Sequence, residues 1–419
     1  MAGTAPLRLL STTRDQRRTL LAAGLGWMLD GFDVMLYALV LTHVMRDLGM
    51  SKATAGLLNT LTLLASGLGG VLFGFIADRL GRKRALMASI LTYSVCSFAS
   101  GLSTSILMLA VFRFVLGLGM GGEWNTGAAL VAETWPTALR AKALSIVQSS
   151  WAIGYAAAAL VSGLMLRVAN WRAVFFVGIA PALLTLWIQK DVPESEMWQE
   201  HRAESSRTAE ASSSTNISLG RLFTSPLAKP TLTLLLVNFF GMFGWWGLFT
   251  WIPSFLSLPV AQGGRGFGVM STTTLLVVLN LLGMFPGYLS FGWVADWVGR
   301  RNAFVYYMLA AALLVPLYAV VRSGWALMLL GTMVAFFGTG SFSGSGLIGS
   351  EIFPTEVRAR ALGFTYNGAR ALSSVAPFVI GRVGQQKGLG WAFFLCAASY
   401  LLAMLVATQL PETKGKTLQ

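Results

Sequence analysis

The chain has 419 residues, 55% of them hydrophobic and 11% charged, with a formal net charge of +14. A soluble domain carries about 25% charged residues, so an ordinary soluble enzyme is excluded: there are too few polar side chains to cover a water-facing surface. The basic residues fall in short gaps between apolar runs and form no amphipathic stripe, a pattern that sets membrane topology and argues against nucleic-acid binding. Cys96 and Cys396 lie inside apolar runs and the histidines are His43 and His201, so neither a disulfide framework, a metal centre nor a nucleophile–His–acid set is expected. The chain has no Gly-x-x-x-x-Gly-Lys-Ser/Thr loop, so ATP-driven transport is not expected either. No cofactor is predicted.

A spanning helix needs about 20 mostly apolar residues. In chain order the predicted spans are 19–44, 54–77, 85–102, 106–132, 143–166 and 171–189, then 232–258, 269–295, 303–321, 325–350, 361–380 and 391–410. The first run follows Arg14, Arg17 and Arg18 and is too long for a signal-peptide core, so it reads as a retained span. Residues 191–228 are polar, with the run Ala211-Ser-Ser-Ser-Thr215, and read as a linker between an amino-terminal unit 1–190 and a carboxyl-terminal unit 229–419. An even number of spans puts both termini on one side. That side would hold 21 Lys and Arg residues against 8 on the other, with Arg113 and Arg370 inside spans, so the positive-inside rule predicts cytoplasmic termini.

The chain repeats itself. Gly74-Phe-Ile-Ala-Asp78-Arg79-Leu-Gly81-Arg82-Lys-Arg84 recurs as Gly292-Trp-Val-Ala-Asp296-Trp297-Val-Gly299-Arg300-Arg301, 218 residues on. At the same offset of 218, Glu133-Thr-Trp-Pro136-Thr-Ala-Leu-Arg140 recurs as Glu351-Ile-Phe-Pro354-Thr-Glu-Val-Arg358, and Pro193-Glu194-Ser195 recurs as Pro411-Glu412-Thr413. Parallel repeats of this kind place the substrate at their interface.

These motifs resemble the major facilitator superfamily over nearly the whole chain. The resemblance implies an all-α integral membrane fold of twelve transmembrane helices in two six-helix bundles, transporting a small molecule and performing no enzymatic reaction. The second copy of the Gly-x-x-x-Asp-Arg loop has Trp297 for the first arginine and ends in Asn302, which implies a weaker second latch. Asp30-Gly31-Phe32-Asp33 and Gly121-Gly122-Glu123-Trp124 resemble the organic acid–proton and metabolite–proton symporter branches (sialate, lactate, aromatic acid). The paired glutamines of sugar porters and the Gly-Pro motif of drug antiporters are missing from spans seven and five, which shifts the expectation to proton-coupled import of a small organic anion. A sugar, osmolyte or organic-cation carrier, or a non-transporting membrane sensor, stands as the alternative.

Asp30, Asp33, Arg113, Glu123 and Arg370 are the charged residues well inside spans. At about 2.5–3.5 kcal/mol each on insertion scales, such residues mark a pathway or a counter-ion network. At the repeat offset of 218 their counterparts are Leu248, Trp251, Gly331 and Ser341, and for Arg370 it is Ala152, so the charges serve one half only. Asp30, Asp33 and Glu123, with Arg113 beside them, are the candidates for proton coupling. Arg370 is the candidate dock for a substrate carboxylate, because its planar fork donates two parallel hydrogen bonds and stays charged. Tyr366, Asn367, Asn238, Trp245, Trp246 and Trp124 would orient an amphipathic acid. Asp78, Arg79, Gly81, Arg82, Glu133 and Arg140, with Asp296, Arg300, Glu351 and Arg358, are the candidate gate. The expected protein is a multi-pass, monomeric protein of the bacterial inner (plasma) membrane, with lipid and an anionic small molecule as its partners.

Overall fold

The computed structural model describes residues 12–199 and 222–414. Helices dominate, as they must where no water is present to satisfy backbone polar groups. They are α1 (Arg14–Leu48), α2 (Lys52–Leu80), α3 (Arg82–Gly101), α4 (Ile106–Thr134), α5 (Thr137–Val168) and the two-part α6 (Trp171–Val177 and Ala182–Asp191). After the polar segment come α7 (Ala228–Ser257), α8 (Val269–Val298), α9 (Arg300–Val320), α10 (Gly324–Ile352), the two-part α11 (Thr355–Ser373 and Ala376–Lys387) and α12 (Leu389–Ala407).

Ten of these are long and apolar enough to cross a membrane by composition. The exceptions are α3 and α11, both expected as spans. Ser89, Ser94, Ser97 and Ser100 are buried along α3, and Thr365, Arg370 and Ser373 along α11. Their polar faces are turned inward, which lowers hydropathy without exposing polar groups to lipid. Helix ends are fixed locally: Thr13 and Gln16 form a reciprocal capping box at α1, and Ser51 and Ser105 cap α2 and α4. Small residues let helices touch. A Cβ on Gly121 of α4 would lie 1.9 Å from the Ser66 carbonyl oxygen of α2, so those backbones meet directly.

Two interruptions position the interior. In α8 a π-helical turn, Leu279–Met284, precedes Pro286 and re-phases the helix before Tyr288. In α11 the chain breaks after Ser373 and resumes with Pro377 in the first turn of the second piece, which leaves Arg370 in the last turn of the first.

On the face away from the termini the two repeats are stitched together. Lys52 Nζ donates to the Gln262 and Gly384 carbonyls at 2.9 and 3.4 Å, and Asn59 Nδ2 donates to Thr250 Oγ1 at 2.9 Å. A Cβ on Gly56 would sit 2.3 Å from the Pro377 carbonyl oxygen. On the terminus-bearing face the ion pairs among the described residues stay within one repeat, as in Arg18–Asp191 at 2.9 Å.

Candidate functional site

A narrow cavity with about 370 Å³ of empty space lies between the repeats. Trp27 of α1 and Gln148 and Trp151 of α5 form one wall; Trp245 and Trp246 of α7, Tyr288 of α8, Phe342 of α10, and Tyr366 and Arg370 of α11 form the other. The rings interlock across the gap: Trp151 meets Trp245 edge-on at 5.1 Å between centroids, and Trp245 meets Trp246 at 4.8 Å. Edge-to-face packing of this kind holds aromatic walls in fixed orientation.

Arg370 is the cavity's cation. It is 5% exposed, its Nε has no hydrogen-bond partner, and no carboxylate lies within ion-pair distance of it among the described residues. Asp30 and Glu123 are near enough to feel its charge. Asp30 lies beside the Trp151 indole, and Glu123 lies against α1, where a Cβ on Gly26 would fall 2.4 Å from Glu123 Oε1. Both carboxylates are 1% exposed, and apart from the Trp151 indole beside Asp30 neither has a hydrogen-bonding neighbour among the described residues. Leaving a buried ion unpaired costs several kcal/mol, so the ionised forms of these groups are held at an energetic cost.

Asp33 and Arg113 form an adjoining group, with Asp30 also close enough to act on Asp33. Ser97 Oγ donates to Asp33 Oδ1 at 3.0 Å, while Arg113 lies over the Tyr37 ring at 4.7 Å and donates from Nη2 to the Val34 carbonyl at 3.5 Å. Arg113 acts electrostatically on Asp33, and Arg370 is the cation felt by Asp30 and Glu123.

Of the residues expected at the substrate, Arg370, Tyr366, Trp245 and Trp246 share the cavity. Three others do not line it. Asn367 follows Tyr366 by one residue, hence about 100° round the helix, and its Oδ1 faces α2 at Gly70. Asn238 lies one turn before Met242 in an adjoining space of about 210 Å³ with Gly241, Met308, Ser341 and Phe342, its Nδ2 donating to the Thr365 carbonyl at 3.4 Å. Trp124 stands behind the wall, 4.8 Å from Trp27. Trp27, Gln148, Trp151, Tyr288 and Phe342 were not singled out from sequence. Trp27, three residues before Asp30, carried a signal in hindsight, but a tryptophan in an apolar helix reads equally as packing.

The two loop motifs build matching latches. Arg82 Nη1 pairs with Asp78 at 2.6 Å and its Nε with Glu133 at 3.1 Å. Arg300 likewise pairs with Asp296, and with Glu351 at 3.3 Å. The second latch thus carries the same ion pairs as the first although Trp297 stands at the position of Arg79. Arg79 lies over the Phe75 ring at 4.0 Å, while Trp297 is 81% exposed. Arg140 Nε is buried without a partner, and Glu133 is engaged by Arg82; the Arg358 side chain lies outside the described residues.

The Pro-Glu-Ser/Thr pair supplies the part of the latch that sequence reasoning missed. Glu194 Oε1 accepts from the Lys83 N–H at 3.0 Å and Glu412 Oε1 from the Arg300 N–H at 2.9 Å, so each carboxylate caps the helix after the loop. Each caps beside a glycine with positive φ, Gly81 at 105° and Gly299 at 98°. A Cβ there would be strained and would strike the glutamate at 2.2 and 2.6 Å. Burial disfavours the charged form of Glu412, but backbone N–H groups of Lys414, Arg300, Arg301 and Thr413 outweigh it and hold its carboxyl below the usual range.

Residues 23–285 match the Major Facilitator Superfamily model, and 308–419 match a model described as Sugar (and other) transporter. The chain is 33% identical to the sialic acid transporter NanX of Escherichia coli K12, covering 94% of this chain and 95% of that one. It is also 33% identical to a probable 4-methylmuconolactone transporter of Cupriavidus pinatubonensis, with 96% and 91% covered. A crystal structure of a D-xylose–proton symporter superposes with a TM-score of 0.75 at 19% identity, covering 96% of this chain and 99% of that one. The chain belongs to the major facilitator superfamily and is a multi-pass membrane transporter, not an enzyme.

Proposed function

We propose that this protein imports a small organic carboxylate together with protons, by alternating access at the interface of units 1–190 and 229–419. The reading places it as a monomer in a bacterial inner membrane, with its termini and the 191–228 linker in the cytoplasm and the paired latches at the cytoplasmic gate. The observation that carries it is Arg370: a buried guanidinium on an aromatic cavity wall, with an unpartnered Nε and no carboxylate in ion-pair contact. An acidic cargo supplies the missing counter-charge with the bidentate geometry an arginine fork accepts. The aromatic rings would clasp its apolar body. Relatives named for sialic acid and a muconolactone fit a carrier of small organic metabolites.

The test is uptake into proteoliposomes under an inward proton gradient, with a panel of acids (benzoate, nicotinate, N-acetylneuraminate) set against their amides. Acids should compete for uptake and amides should not; equal competition by amides overturns the carboxylate assignment. Arg370→Lys keeps the charge but loses the fork, and should weaken apparent affinity by about tenfold. Unchanged affinity would remove Arg370 from the dock.

A further inference from the structure

The buried charges divide into two sets. Asp33 and Arg113, with Ser97 and Tyr37 around them, sum to zero when ionised, and of the five buried charges Arg370 is the one that lines the cavity. Asp30 on α1, Glu123 on α4 and Arg370 on α11 act on one another and sum to −1. Asp33 of α1, which feels Asp30, Tyr93 of α3 and Tyr366 of α11 are the other titratable side chains facing this second set. Apart from the Trp151 indole beside Asp30, the oxygens of Asp30 and Glu123 and the Nε of Arg370 have no hydrogen-bond partner among the described residues.

We propose that the cargo carboxylate and the Asp30–Glu123 pair compete for Arg370, and that this competition fixes coupling at one proton per monocarboxylate with no net charge moved. The inference rests on the carboxylate reading of the site. A site cut off from water tolerates little uncompensated charge, so the carrier changes shape only when the set is neutral. Empty, the set reaches neutrality with one proton shared between Asp30 and Glu123. The cargo anion takes over Arg370 and adds one negative charge, and the second carboxylate then takes a proton from water. The loaded carrier thus crosses with two protons and the empty one returns with one. Each transfer makes one O–H bond on a carboxylate at one face and breaks it to water at the other, and nothing is oxidised or reduced.

The test uses the full chain in proteoliposomes, with labelled nicotinate and N-acetylneuraminate as probes and the membrane potential clamped by potassium and valinomycin. At fixed pH gradient the initial rate should be the same at zero and at inside-negative potential, and accumulation should rise about tenfold per pH unit. Asp30→Asn and Glu123→Gln, made singly, should each keep one-proton coupling, because the remaining carboxylate takes the proton that the cargo requires. The double variant, whose empty set keeps the uncompensated Arg370 charge, should exchange labelled anion for anion already inside but no longer accumulate it under a pH gradient. Accumulation that follows the potential in the wild type, or rises about a hundredfold per pH unit, overturns the stoichiometry while leaving carboxylate transport standing. Uptake of neither acid overturns the parent reading and this one with it. If the double variant does not fold, the wild-type voltage measurement still decides.

Discussion

The two halves of this molecule agree at one membrane face and disagree at the centre. At the terminus-bearing face the ion pairs of Asp78, Arg82 and Glu133 are matched by those of Asp296, Arg300 and Glu351, and Glu194 and Glu412 each cap the helix that follows. In the interior, Asp30, Glu123 and Arg370 correspond to Leu248, Ser341 and Ala152, and no pair is shared. The difference separates what moving the scaffold demands from what the cargo demands. A rocking device needs equivalent fastenings on both arms, whereas a single ligand between two arms meets a different surface on each.

That contrast can be broken most strongly at its centre. Replacing Arg370 with the residue its repeat carries, Arg370→Ala, should lower uptake by about a hundredfold, the worth of a charge-assisted hydrogen-bond pair, while the purified protein keeps its melting temperature; retained uptake would show that the asymmetry is incidental. The latches should instead respond alike. Arg82→Ala and Arg300→Ala should each cost about 1–3 kcal/mol of stability through the lost bonds to partly buried carboxylates, and thermal unfolding that separates the two variants clearly would end the claim of equivalence. The smallest effect concerns pH. With the Glu412 carboxyl held below its ordinary range in the folded protein, its contribution is full above the unfolded value of about 4.3 and is lost as pH falls through the folded value. Melting temperature should therefore drop on acidification, and Glu412→Gln should flatten part of that slope.

Much of this was legible because lipid makes charge conspicuous. Five ionisable residues in apolar spans stand out from sequence, as does a loop motif repeated at an offset of 218. The aromatic wall was not legible, for a physical reason. A helix bounded by lipid on one side and packed protein on the other is apolar all round, so hydrophobic periodicity does not mark which face is interior. Trp151 and Trp245 line the cavity while Trp124 stands behind it, and nothing in their neighbours distinguishes them. The π turn in α8, which precedes Tyr288, likewise leaves no pattern in composition. Asn367 shows the limit in the other direction: a polar residue beside a lining residue was expected at the cargo, and one helical step turned it to a neighbouring backbone.

The seam between Gly56 and the Pro377 carbonyl, flanked by the Lys52 tether to Gly384, is written in main-chain atoms. It refuses even a methyl group, so added bulk there acts as a wedge under a door and holds it ajar toward the termini-free side. A random mutagenesis screen for carriers locked in that posture should recover its hits at this glycine before any of the charged fastenings opposite.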